Sequence, residues 1–274
     1  MIKAISCDLD GTLLDHQARI RPYSARALQE LSRQGVMVVL ASGRSWRTVL
    51  RIQQEIGIRG PIITHNGAYG FDTTTMREWH RHGVRVQRTR EFLHWADANA
   101  VMIRCYLGVG YPVVFNRFDL AHQLCWLRPE DRLVAHAGAT LEVDALEIFI
   151  AGWESVDRFI GDFGLSGNDY ELVIFPHIGY REVNICAPGV NKVEALEQFS
   201  RRWQIRPDEF LALGDGANDV EMLEWAGYSV AVGDGNQSLA RVADFVTTPG
   251  SSEPVWEGLR WAFPDYLLTP LSSA

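Results

Sequence analysis

Two carboxylates two positions apart, Asp8 and Asp10 of Asp8-Leu9-Asp10-Gly11-Thr12-Leu13, follow a short apolar stretch over residues 3–7. At that spacing both can converge on one hard cation while each keeps a second duty. Gly11 lets the chain turn tightly there, and the exposed amides of such a turn make a nest for an anion. A second acidic turn, Gly214-Asp215-Gly216-Ala217-Asn218-Asp219, follows the apolar run 210–213. Carboxylates in a glycine turn suit magnesium, which takes oxygen ligands and retains waters. The further acidic spacing and closing glutamate of an EF-hand are missing. Ser42 and Gly43, after the apolar run 36–40, offer a hydroxyl and helix-start amides to phosphate oxygens. Lys192, near the start of another helix, offers a mobile ammonium. Alone, a Ser-Gly pair is a common cap and a lysine is usually solvated surface. Together the four sites offer a cation, an anion cradle and carboxylates for one chemistry.

The elements that must position them alternate. Residues 3–7 read as a strand, Pro22 opens a helix with Ala25, Leu28 and Leu31 on one face, and Gly35 closes it. The run 36–40 is apolar throughout, as a strand buried on both faces in a parallel sheet requires. A helix to about residue 56 and a strand over 61–64 follow. After residue 187 the alternation resumes, with helices at 191–203, 220–226 and 237–242 and strands at 210–213, 229–232 and 245–247. All four chemical sites then fall at the C-terminal ends of parallel strands or at the helices beside them, the edge where open α/β sheets bind ligands.

Between these stretches the pattern changes. A helix over 87–99 and another over 155–163 lie among β-prone segments at 101–107, 112–115, 146–151, 170–175 and 180–186. The expected fold class is α/β, a doubly wound Rossmann-like parallel-sheet core with an inserted α+β cap. The core is expected over 1–80 and 187–274 and the insert over 81–186.

Composition narrows the function. The net charge of −8 repels a phosphate backbone, so nucleic acid is not the expected partner. The basic cluster Arg77, Arg81, Arg85, Arg88 and Arg90 reads as a solvated helix face. Four scattered cysteines carry no metal-ligand spacing and read as reduced core thiols. No apolar run reaches the length of a membrane span, and residues 1–5 enter a strand without a signal-peptide pattern. Cytoplasmic localisation, no membrane partner, and a monomer or small homo-oligomer are the expectations.

In order and spacing, the four sites resemble the motifs of the haloacid dehalogenase superfamily of phosphohydrolases. Asp-Leu-Asp-Gly-Thr-Leu is similar to its first motif, Ser42 to its second, Lys192 to its third and Gly-Asp-Gly-Ala-Asn-Asp to its fourth. The large insert between the second and third motifs resembles the cap of the Cof-like hydrolase branch. So do Ala41-Ser42-Gly43-Arg44, Thr64-His65-Asn66-Gly67-Ala68 and the run 218–223. Two departures stand out. Asn191-Lys192-Val193 replaces a frequent Asp-Lys-Gly, and Gly233-Asp234-Gly235 replaces Gly-Asn-Ala.

The resemblance implies roles. Asp8 is the nucleophile that forms an aspartyl phosphate, and Asp10 the general acid and base. Magnesium is held through Asp8, Asp215 and the Asp10 carbonyl, and Asp219 orients Lys192 or a metal-bound water. Lys192 adds positive charge, while Ser42, the amides of Leu9 and Gly43, and Asn218 contact the phosphoryl group. Arg44 and Asn66 are candidates to face the substrate, a small phosphorylated metabolite such as a sugar phosphate. Arg47, His65, Trp153, His177 and Tyr180 are weaker candidates. Phosphoryl transfer to a sugar, as in phosphomutases, and a non-catalytic regulator that binds sugar phosphates are the alternatives.

Overall fold

The computed structural model describes residues 1–117, 141–177, 180–233 and 235–265. In chain order the first strands are β1 (Ala4–Cys7), β2 (Met37–Ala41), β3 (Pro61–Thr64), β4 (Tyr69–Asp72) and β5 (Arg77–Arg81). Next come β6 (Ile103–Tyr106), β7 (Val114–Phe115), β8 (Glu147–Ala151), β9 (Ser166–Gly167), β10 (Tyr170–His177) and β11 (Tyr180–Cys186). The last are β12 (Phe210–Gly214), β13 (Tyr228–Ala231) and β14 (Phe245–Val246). The helices are α1 (Pro22–Arg33), α2 (Trp46–Glu55), α3 (Val86–Ala98), α4 (Trp153–Phe163), α5 (Lys192–Trp203), α6 (Val220–Trp225) and α7 (Pro254–Ala262).

The chain divides into two units, Met1–His80 together with the chain from Asn191 onward, and Arg81–Val190. In the first, eight strands run in the order β14-β13-β12-β1-β2-β3-β4-β5. The pairs from β14 through β3 are parallel, and β4 turns antiparallel to β3. The chain leaves β1 toward β2 and β3 and later returns on its other side as β12. The strand order therefore reverses at β1, which opens a crevice at the C-terminal ends of β12, β1 and β2. Every residue of β1 and β12 is buried, as their apolar composition requires. Ala4, Val39, Ala41 and Ile63 of the sheet pack with Leu196 and Phe199 of α5 and with Met222 and Leu223 of α6.

Three features of this unit differ from the sequence reading. The segment before residue 80 holds the hairpin β4–β5, turned at Asp72, whose carboxylate accepts from the amide of Thr74 at 2.8 Å. Residues 239–241 form one turn of 3-10 helix in place of an α-helix over 237–242. The helix α7 was not expected, although Pro254 at its first turn and buried Val255 and Leu259 one turn apart are its signal.

Among the described residues of the second unit six strands form an antiparallel sheet, β7-β6-β8-β11-β10-β9. Phe92 and Leu93 of α3 and Val156 and Phe159 of α4 pack with Ile103, Ile148, Ile150, Val183 and Ile185 of the sheet. Phe92 meets Phe159, Phe163 and Tyr170 edge to face, with centroids 5.0–5.2 Å apart. The arginine cluster is not one solvated helix face. Arg77 and Arg81 lie on β5, Arg81 donates to the carbonyls of Asp144 and Leu107, and Arg88 is paired with Asp169 and Glu91. Cys7, Cys105 and Cys186 are buried free thiols, and Cys125 lies outside the described residues. Among the described residues no helix is long and apolar enough to cross a membrane.

Candidate active site

Asp8 follows the last residue of β1, Asp215 the last residue of β12, and Ser42 the last residue of β2. Because these strands are adjacent and parallel, the three residues emerge side by side at one sheet edge. Lys192 is the first residue of α5. The side chain of Asn191 caps that helix by accepting from the amide of Glu194 at 2.8 Å, which fixes where Lys192 begins.

The Lys192 ammonium donates to Asp8 Oδ1 at 2.5 Å and to Asp219 Oδ1 at 2.6 Å. Lys192 is 1% exposed, Asp219 0% and Asp8 6%, so this triad is withdrawn from water. Burial pushes the Asp8 carboxyl up to about 7 although the Lys192 charge pulls the other way. Burial also works against the charged form of Lys192, but Asp8 and Asp219 outweigh it and hold the ammonium protonated. The Asp215 carboxyl is raised, first by burial, while a hydrogen bond from Thr12 opposes the shift.

The remaining expected residues take different places. Both carboxylate oxygens of Asp10 are held by Arg44, Nε at 2.8 Å and Nη2 at 2.5 Å. The Ser42 hydroxyl accepts from the Arg44 amide at 3.1 Å and is almost wholly buried, which caps the turn beside Gly43. The Leu9 side chain belongs to the core, so only its main chain is available to a ligand. Asn218 is exposed, and Asn66 lies with its side chain against Gly43. In the second unit Trp153 lies under the Arg181 guanidinium at 4.5 Å, and His177 and Tyr180 form the terminal pair of the β10–β11 hairpin.

Sequence reading gave Thr12 no role. Its hydroxyl donates to Asp215 Oδ1 at 2.8 Å and ties the first acidic turn to the second. The signal was present in the motif itself, where a hydroxyl stands two residues past Asp10. Gly11 allows the two turns to close on each other, because a Cβ there would come within 2.1 Å of Asp215 Oδ2.

Asp8, Asp215 and Asp219 each present a carboxylate oxygen, and these oxygens lie within 4.8 Å of one another. An all-oxygen set of this charge fits a hard divalent cation. Asp219 has both oxygens engaged, Oδ1 by Lys192 and Oδ2 by the amides of Asp215 and Gly216 at 3.2 and 3.0 Å. That leaves Asp8 and Asp215 as the better-suited carboxylate pair. With the metal-free Asp8 at about 7, a proton competes with the cation for the same oxygens. Divalent-ion affinity, measured by calorimetry, is expected to fall as pH drops below about 7, approaching tenfold per unit. A flat profile between pH 8 and 5 would show that Asp8 is not a ligand.

The chain matches the family of haloacid dehalogenase-like hydrolases over residues 5–115 and 168–259. It is 26% identical to a phosphoglycolate phosphatase of Methanothermobacter thermautotrophicus, over 94% of this chain and 98% of that one. It is 27% identical to a chloroplastic endoribonuclease, YBEY, of Arabidopsis thaliana; the match covers 94% of this chain but spans about half, 46%, of that one. Among solved structures, a haloacid dehalogenase-like hydrolase from Bacteroides thetaiotaomicron has the same fold. Its TM-score is 0.77 at 21% identity, over 96% of this chain and 100% of that one.

Proposed function

The chain belongs to the haloacid dehalogenase-like hydrolases, and on that premise we propose that it hydrolyses small phosphorylated metabolites, sugar phosphates foremost, through an aspartyl-phosphate intermediate on Asp8. The observation that carries this reading is the buried contact of Lys192 with both Asp8 and Asp219 at the C-terminal end of β1. A carboxylate can approach a phosphate dianion only where positive charge offsets their repulsion, and Lys192 sets a fixed cation beside Asp8. Asp219 keeps that ammonium aimed, through a carboxylate itself anchored on two amides.

Asp8 attacks phosphorus in line as the ester oxygen departs. Asp10, once released from the Arg44 guanidinium that holds both of its oxygens, gives that oxygen a proton and later takes one from the water that cleaves the acyl phosphate. Ser42 and the amides of Leu9 and Gly43 hold the phosphoryl oxygens, with Asn218 at the rim of the site. Asp8, Asp215 and the Asp10 carbonyl would hold magnesium, which supplies charge neutralisation of the phosphoryl oxygens. Residues 81–186 act as a cap that selects the leaving group. The phosphoglycolate phosphatase among the relatives, matched along nearly its whole length, supports a small phosphorylated substrate.

Phosphate release from p-nitrophenyl phosphate and a panel of sugar phosphates tests the reading. Release is expected with magnesium and is expected to fall at least about a hundredfold with EDTA. Equal release under both conditions would remove the metal from the account. No release from any compound would remove the phosphatase reading itself.

A further inference from the structure

Between β3 and β4 the chain makes a tight turn, His65-Asn66-Gly67, in which His65 (φ 52°) and Asn66 (φ 56°) are consecutive left-handed residues that are not glycine. L side chains rarely adopt that backbone, and two in a row persist only where the surroundings over-determine them. The surroundings here are two different parts of the active site. On one side the His65 amide donates to the Arg44 carbonyl at 3.1 Å and the Asn66 amide to the Ser42 carbonyl at 3.2 Å. The Asn66 side chain lies so close over Gly43 that a Cβ on Gly43 would sit 2.7 Å from Asn66 Oδ1, and its three nearest atoms would all belong to Asn66. On the other side Gly67 (φ 112°) abuts the start of α5, where a Cβ would come within 2.0 Å of the Asn191 carbonyl oxygen and 3.1 Å of the Lys192 amide.

We propose that this turn is a positioning device, holding the Ser42–Gly43 loop and the Lys192 helix start at a fixed separation; this rests on the phosphatase reading above. Asn66 acts through Gly43 and Gly67 acts through Asn191, so neither needs to touch substrate. The strain is concentrated in the turn because three successive residues must contact two elements that approach from different strands. The turn thereby links the donors for phosphoryl oxygens to the ammonium that faces the nucleophile.

The close approach yields a specific test. Gly43 does not have a positive φ, so its backbone tolerates alanine, and the three atoms nearest the added methyl group all belong to Asn66. Gly43→Ala is expected to lower kcat/KM for p-nitrophenyl phosphate by up to on the order of a hundredfold, the cost of a displacement near 1 Å at a reacting centre where the Ser42–Gly43 loop gives way rather than the Asn66 amide. Asn66→Gly accepts the left-handed backbone and removes the obstacle. Asn66→Gly alone leaves Gly43 without its support and should itself lower kcat/KM, whereas in the double variant Gly43→Ala/Asn66→Gly the methyl group fills the space the amide leaves, so kcat/KM and competitive inhibition by inorganic phosphate should both recover in part. If Asn66 contacts substrate directly, the double variant is worse than Gly43→Ala, and the proposal is overturned.

Gly67→Ala probes the other side: kcat and inorganic-phosphate affinity should fall together, and unchanged phosphate affinity in a folded variant would overturn the link to α5. If that variant fails to fold, the Gly43/Asn66 pair still decides. If the wild-type protein hydrolyses nothing, the phosphatase reading fails separately. Urea unfolding of wild type, Gly43→Ala, Asn66→Gly and the double variant then tests the turn, with Gly43→Ala expected to lower the midpoint only where Asn66 is present. Equal shifts in both backgrounds would contradict it.

Discussion

Asp8→Asn is expected to abolish turnover while leaving the fold intact. The amide keeps the shape and a hydrogen-bond acceptor toward Lys192 but cannot act as the nucleophile, so kcat/KM should fall by at least about 10²-fold. A variant retaining more than about a tenth of the wild-type rate would remove Asp8 from that role. The substitution has a second signature in metal-free protein. The Asp8 carboxyl titrates near 7 when folded, against an ordinary value of 3.8. Between those values the folded state holds a proton that the unfolded chain has lost, so stability declines as pH rises through that window. Asparagine has no such proton, and the urea midpoint of Asp8→Asn should vary less between pH 4 and 7. Equal slopes in the two proteins would show that Asp8 is not held in the environment described above.

Lys192→Met should be damaging in two ways at once. The methionine fits a wholly buried slot but leaves Asp8 and Asp219 without the ammonium that both contact. Breaking a buried ion pair from one side costs about 3–5 kcal/mol because the partner charges stay behind. The loss should be greatest at pH 8, where Asp8 is ionised, and smaller near pH 5.5, where Asp8 takes a proton. Catalysis should fall about 10²–10³-fold, as for removal of one preorganised electrostatic group. Lys192→Arg is not expected to rescue it, since a planar fork cannot reproduce a compact ammonium between two carboxylates. The check is paired urea unfolding at both pH values with kcat/KM. Near-wild-type stability at pH 8 together with near-wild-type turnover would contradict the assigned role.

Much of this site was legible because its residues sit where short-range pattern is strongest. Apolar runs ending in an acidic or Ser-Gly turn mark buried parallel strands, and β1, β2 and β12 end within a residue of where those runs end. Their adjacency was not local information. Asp8 and Asp215 are separated by more than two hundred residues, and only the reversal of strand order at β1 brings them together. What the sequence hid was mostly partnership. Nothing local tells that Thr12 serves Asp215, or that the Asp10 carboxylate is gripped by Arg44.

The arginine cluster failed for a related reason. Spacing alone cannot separate a helix face from a strand that leads into a helix, and Arg77 and Arg81 fall on β5. The β4–β5 hairpin was missed because Thr73-Thr74-Thr75 carries no glycine or proline to announce a turn. The Asp72 carboxylate does that work by accepting from the amide of Thr74 and the hydroxyl of Thr75. The 3-10 turn at Leu239–Arg241 shows the limit of composition, since Ser238 precedes it as a helix cap would but no side-chain cap forms.

The covalent intermediate is tested most directly by the stereochemistry of hydrolysis at phosphorus, using an isotopically chiral phosphate monoester that the enzyme turns over. Attack by Asp8 followed by attack of water is two in-line displacements, so net retention of configuration is expected. Inversion would mean a single displacement by water, and it would contradict the aspartyl-phosphate route.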